Sequence, residues 1–125
     1  MAKKILIVDD EPDVLKILLL RLKKTGYDVI GARDGREALD LARQTIPDLI
    51  ILDFHLPDMN GDEVAKMLKG DKDLRHIPII LISATVTSVA ERAKECGADG
   101  CIAKPFEPEE LVGAVNKILK QPGTV

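Results

Sequence analysis

Short runs of Ile, Val and Leu alternate along this chain with stretches in which apolar residues recur every three or four positions. The runs lie at residues 5–8, 29–32, 49–52 and 79–82, with a weaker one at 101–103, and their length and β-branched content predict five strands. Between the first two, residues 12–24 read as an amphipathic helix, with Pro12 suited to its opening turn and Gly26 to its close. Asp34 and Glu37 stand at capping-box spacing before a second helix whose core-facing residues would be Ala38, Leu39 and Ala42. A third helix is expected at about 62–69. Ser88 and Glu91 repeat the capping spacing before a fourth, which would stop at Gly97 in a left-handed conformation. Pro108 opens a fifth, with Leu111, Val112, Val115, Ile118 and Leu119 along one face.

Strand-helix alternation implies a parallel sheet with helices on both faces, because parallel strands need crossover connections. The unbroken apolar runs of strands one, three and four mark them as central. Strands two and five are shorter or more broken and belong at the edges. The expected fold is therefore α/β, a doubly wound five-stranded parallel sheet in the order 2-1-3-4-5, the flavodoxin-like (βα)5 arrangement. With 125 residues the chain fits one domain, at residues 1–120, and 121–125 form a C-terminal tail expected to fray. No internal repeat, linker or low-complexity segment interrupts it.

Composition narrows the function classes. Hydrophobic residues make up 46% and charged residues 31%, a globular balance. Tyr27, Phe54 and Phe106 are the only aromatics, so aliphatic side chains must build the core and no platform exists for stacking bases. The net charge of −3, with Lys and Arg dispersed, also argues against direct nucleic-acid binding. No apolar run approaches the roughly 20 residues that cross a bilayer, and acids follow Lys3-Lys4 too soon for a signal peptide. A cytoplasmic chain without a membrane partner is expected. Cys96 and Cys101 lack paired spacing and read as buried small hydrophobes.

The candidate chemistry sits where the strands end: ILIV runs into Asp9-Asp10, LIIL into Asp53, IILI into Ser83 and CIA into Lys104. Right-handed crossovers put these ends on one edge of the sheet, where open α/β sheets bind ligands. Singly, each residue has an ordinary explanation as a helix cap, a turn former or a solvated charge. Together, three carboxylates on one edge repel one another and call for a cation. Their hard oxygens suit Mg²⁺, or Mn²⁺ in its place, better than zinc. Mg²⁺ takes few carboxylates and leaves positions for water, backbone carbonyl and phosphate. Lys104 offers a compact positive charge and Ser83 a hydroxyl donor to a phosphate, and phosphoryl transfer needs chiefly such positioning and neutralisation.

Four motifs carry a resemblance: ILIVDDEP, LIILDFHLPDMNG, LISAT and GADGCIAKPF. Over essentially its whole length the chain resembles the receiver domains of two-component response regulators, and is similar to stand-alone regulators of the chemotaxis type. The resemblance implies that Asp53 is the phosphoacceptor, loaded from the phosphohistidine of a sensor histidine kinase or phosphotransfer protein. It further implies Mg²⁺ bound by the side chains of Asp10 and Asp53 and the backbone carbonyl of His55, with Asp9 acting through water. Ser83 and Lys104 would bind the phosphoryl oxygens, and Lys104-Pro105 would be a cis peptide. Slow self-catalysed dephosphorylation by an in-line water is implied, so the chain would be a signalling phosphoacceptor rather than an enzyme. Its downstream protein target would read the face made by the fourth predicted helix, the fifth strand and the fifth predicted helix.

One position departs from the family. Receivers usually carry Tyr, Phe or His three residues before the site lysine, where the ring turns inward as the Ser or Thr moves; here Cys101 stands there. Coupling through a ring cannot operate as usual. Either Ser83 and the loop to the fourth helix carry the switch alone, or the output is muted. His55 and Thr85 occupy positions that influence dephosphorylation speed in this family.

Other classes fit less well. A haloacid-dehalogenase-like phosphatase needs a second Asp two residues after the nucleophile, and His55 is there instead. In a flavodoxin-like cofactor carrier the first loop must accept the FMN phosphate, which Asp9, Asp10 and Glu11 would repel. No Gly-rich phosphate cradle is present. A phosphorylation-independent scaffold would not need all five site residues. The start MAKKILIVDD and the ending soon after the fifth helix favour a stand-alone unit, although a domain trimmed from a transcription factor or hybrid kinase would read alike.

Overall fold

The computed structural model describes residues 2–83, 91, 94 and 97–119. Its five strands are β1 (Lys4–Val8), β2 (Asp28–Ala32), β3 (Leu49–Asp53), β4 (Ile79–Ser83) and β5 (Gly100–Ala103). They form one parallel sheet in the order β2-β1-β3-β4-β5, the order read from the sequence. The helices defined among the described residues are α1 (Pro12–Thr25), α2 (Gly35–Thr45), α3 (Gly61–Gly70) and α4 (Pro108–Leu119). Ser88 and most of the fourth predicted helix, Thr85, Cys96 and the tail lie outside the described residues. The fifth predicted helix is accordingly α4 here. Gly97, the expected stop of the fourth predicted helix, takes a left-handed φ of 80°.

The alternation of strand side chains divides the core in two. Leu6, Val8, Ile50, Leu52, Ile79 and Leu81 face one side, where Ala38, Leu39 and Ala42 of α2 and Val64, Ala65 and Leu68 of α3 cover them. Ile5, Ile7, Leu49, Ile51, Ile80 and Ile82 face the other, beneath Leu15, Leu18 and Leu22 of α1 and Leu111 and Val115 of α4. β3 and β4 are buried at every residue, because both faces are covered and both edges paired. Each fully buried aliphatic side chain there contributes roughly 1.5–3 kcal/mol. β2 and β5 keep half-exposed residues, as edge strands must. Cys101 is therefore half-buried rather than buried: β5 has a neighbouring strand on one side only.

The helix ends follow the chain's capping residues. Gly26 closes α1 at φ 109°, its N–H reaching the carbonyls of Leu22 and Lys23. Asp34 accepts the Glu37 N–H at 2.8 Å to open α2. The return bond differs from a standard capping box, since the Glu37 carboxylate accepts the N–H of Arg33 at 3.3 Å rather than that of Asp34. No helix among the described residues is long and apolar enough to cross a membrane.

Candidate functional site at the strand ends

The parallel register brings the chemistry-bearing residues to one edge. Val8 pairs with Leu52, Asp53 with Ile82, and Ser83 with Ala103. Ladder hydrogen bonds continue past the strand ends and hold the site backbone: Asp9 N–H donates to the Ala32 carbonyl at 3.1 Å, Phe54 N–H to Ile82 at 2.8 Å and Lys104 N–H to Ser83 at 2.8 Å. Strand geometry rather than loop conformation thus sets where these side chains start.

Asp9 and Asp53 are buried, at 1% and 4% exposure, whereas Asp10 is exposed. Carboxylate oxygens of all three lie within 4.8 Å of one another. Each buried carboxylate divides its oxygens between a backbone donor and one shared ammonium. Asp53 Oδ1 accepts the His55 N–H at 3.3 Å and its Oδ2 lies 3.0 Å from Lys104 Nζ. Asp9 Oδ1 accepts the Glu11 N–H at 2.9 Å and its Oδ2 lies 3.7 Å from the same Nζ. Ser83 is buried at the end of β4, beside this group. The Lys104-Pro105 peptide is cis, as the resemblance implied.

The electrostatics are unbalanced. Burial, the largest influence, holds the Asp9 carboxyl above its ordinary value; the Asp53 charge adds to this, and the Glu11 N–H and Lys104 oppose it. Burial works to lower the Lys104 ammonium, but its hydrogen bond and charge pairing with Asp53, then Asp9 and Glu11, outweigh it and raise it. One ammonium thus serves two buried carboxylates with Asp10 and Glu11 at the rim. An oxygen-only donor set with excess negative charge and one solvent-facing member fits a hard divalent cation such as Mg²⁺.

Of the residues singled out in the sequence, Asp9, Asp10, Asp53 and Lys104 meet directly, Ser83 and His55 adjoin them, and Thr85 lies outside the described residues. Cys101 packs against the core on the α2 and α3 side, where burial pushes its thiol up.

Two contributors escaped the sequence reading. A methyl group on Gly61 would sit 2.5 Å from the Asp53 carbonyl oxygen and 2.9 Å from Phe54 Cα, and Gly61 N–H donates to the Phe54 carbonyl at 2.6 Å. The start of α3 is therefore pressed against the backbone that carries Asp53. Asp58 accepts the N–H groups of Gly35 at 2.8 Å and Arg36 at 2.9 Å, across 23 and 22 residues of sequence. Both residues lie within the LIILDFHLPDMNG motif, but no local spacing signals either contact. Beside the site, Val14, Ile17, Leu18, Pro105 and Phe106 line an apolar groove between α1 and the segment after β5.

Residues 5–116 match the family model of the response regulator receiver domain. The chain is 38% identical over 120 residues to the polar-differentiation response regulator DivK of Brucella ovis, covering 95% of this chain and 98% of that protein. It is 42% identical over 121 residues to the probable transcriptional regulator ycf27 of Guillardia theta, covering 95% of this chain but spanning only 46% of that relative. Its fold is similar to that of the chemotaxis response regulator CheY4 of Vibrio cholerae, with a TM-score of 0.90 at 32% identity over 94% of this chain and 99% of that one.

Proposed function

The chain belongs to the response-regulator receiver family, a family of signalling phosphoacceptors, and on that premise we propose that Asp53 accepts a phosphoryl group from a protein phosphohistidine. The observation that carries the reading is the placement of Asp53. It is buried at the end of β3, with Lys104 Nζ at 3.0 Å and oxygens of Asp9 and Asp10 within 4.8 Å.

In the proposed reaction an Asp53 carboxylate oxygen attacks the phosphorus of the donor phosphohistidine. The P–N bond breaks, its electron pair returns to the imidazole, which takes up a proton, and Asp53 becomes an acyl phosphate. Lys104 turns from the Asp53 carboxylate to a phosphoryl oxygen, and the Ser83 hydroxyl donates to another. The side chains of Asp10 and Asp53 and the His55 carbonyl would hold Mg²⁺, with Asp9 acting through water. The ion would neutralise charge on the transferring group. A water in line with the P–O bond slowly releases inorganic phosphate and restores Asp53. The chain is thus a signalling phosphoacceptor, with self-catalysis limited to its own aspartate.

The donor is a sensor histidine kinase or phosphotransfer protein, and the reading places the chain in the cytoplasm with it. The apolar groove that Lys104 helps to line would seat such a donor beside the acid group, since the same lysine contacts Asp53. Output would pass to a protein target through the face formed by the fourth predicted helix, β5 and α4. With Cys101 in place of a ring, Ser83 and the loop after β4 carry the change.

Incubation with acetyl phosphate and Mg²⁺, followed by intact mass, tests the reading. The wild type should gain one phosphoryl group and Asp53→Asn none. A gain that ignores Mg²⁺, or that survives Asp53→Asn, rejects it.

A further inference from the structure

The segment between β3 and α3 carries His55, next to the Asp53 carboxylate, and is held at three places. At its base, Gly61 N–H bonds the Phe54 carbonyl and His55 pairs with Asn60 in an antiparallel bridge. Along one flank Leu56 is buried in the core shared with α2 and α3. At its apex, the Asp58 carboxylate spans the first turn of α2, one oxygen on Gly35 N–H and the other on Arg36 N–H. Met59 closes the same contact, for a methyl on Gly35 would lie 2.5 Å from its Cγ and 2.8 Å from its sulfur.

The apex contact does more than cap a helix. α2 already has its own N-terminal cap in Asp34, which accepts the Glu37 N–H. Asp58 takes two further unpaired N–H groups of that turn and gains the favourable end of the helix dipole. Desolvation acts to raise the Asp58 carboxyl, but the amides of Gly35, Arg36, Asp58 and Met59 together hold it below the usual carboxylate range. The bond is therefore charge-assisted at neutral pH. It ties the segment to an element that contributes no residue to the acid group.

We propose that Asp58 is a positioning residue: by anchoring the apex to α2 it holds the His55 backbone where its N–H meets Asp53 and its carbonyl serves the cation. This rests on the Asp53 reading above. Loss of the anchor leaves the apex attached through Met59 packing alone. The cost falls on cation affinity before it falls on folding, because α2 keeps its Asp34 cap and both cores are untouched.

Mg²⁺ binding by isothermal titration without phosphodonor, together with the Mg²⁺ dependence of mass gain from acetyl phosphate, tests this on the wild type, Asp58→Ala and Asp58→Asn. Asp58→Ala should weaken Mg²⁺ binding about ten-fold, the low end for losing a partner that orients a metal ligand. Phosphorylation should recover at saturating Mg²⁺. Asp58→Asn, whose amide oxygen still accepts one N–H, should lie between. Thermal melts establish that the variants fold; should Asp58→Ala not fold, Asp58→Asn decides. Variants that fold and bind Mg²⁺ like the wild type overturn the positioning role alone. A wild type that takes no phosphoryl group overturns the Asp53 reading and this proposal with it.

Discussion

Lys104 Nζ stands 3.0 Å from Asp53 Oδ2, and the same ammonium reaches Asp9 Oδ2 at 3.7 Å. Without a cation it is the main counter-charge to two buried acids, and in the proposed reaction it turns from Asp53 to the phosphoryl group. Resting stability and response therefore draw on one side chain.

Replacing Lys104 by Met should destabilise the metal-free protein by about 2 kcal/mol at pH 7, below the 3–5 kcal/mol of a fully buried broken pair because the lysine is partly exposed. Urea unfolding with and without Mg²⁺ checks this, and Mg²⁺ should stabilise the variant more than the wild type. The Lys104 ammonium is raised, so its contribution is complete below its unfolded value near 10.4 and is lost as pH climbs through the higher folded value.

Asp9→Asn should act in the opposite direction on the metal-free fold. The Asp9 carboxyl is raised by burial and by Asp53, so the folded state binds a proton more readily than the unfolded chain and ionised Asp9 works against folding at neutral pH. The variant should melt higher at pH 7, by on the order of 1 kcal/mol, and the difference should shrink as pH falls through the folded value toward about 4. Its Mg²⁺ affinity should drop. A lower melting temperature at pH 7 in the absence of Mg²⁺ would contradict this account.

Gly61→Ala introduces a methyl 2.5 Å from the Asp53 carbonyl oxygen, and neither that backbone nor the start of α3 can yield cheaply. A loss of about 1–3 kcal/mol is expected in denaturant titrations, the usual range for overpacking. Phosphorylation of Asp53 by acetyl phosphate should slow as well, since the strain falls on the proposed phosphoacceptor. Gly113 is the control, because among the described residues nothing lies within 4 Å of a methyl there.

Beryllofluoride, which mimics the acyl phosphate on Asp53, should shift amide resonances in β5 and α4 despite the absence of a ring at Cys101. NMR spectra with and without it decide the point. Changes confined to the neighbours of Asp53 would mean that the site is sound and the route to the output face is broken.

Much of this was legible beforehand because it depends on periodicity and chain order. Strands β1, β3 and β4 announced themselves as central by unbroken runs that only a two-sided core can bury, and Asp34 and Gly26 marked helix ends by local capping chemistry. Residue type alone suggests that Cys101 is buried, but it is half-buried because its exposure depends on which side of β5 lacks a neighbour. The return bond of Glu37 to Arg33 was hidden for a similar reason, one residue of backbone direction that no spacing rule carries.

By itself, then, the sequence determined the layered sheet and the edge at which Asp9, Asp10, Asp53, Ser83 and Lys104 collect. Parallel strands with right-handed crossovers leave their C-terminal ends nowhere else to go. Only the tertiary structure decided how Lys104 is divided between Asp53 and Asp9, that Gly61 must be bare against the Asp53 carbonyl, and that Asp58 reaches α2. Those are matters of close contact between separate elements. They are set by how helices settle on the sheet, which hydrophobic periodicity does not encode.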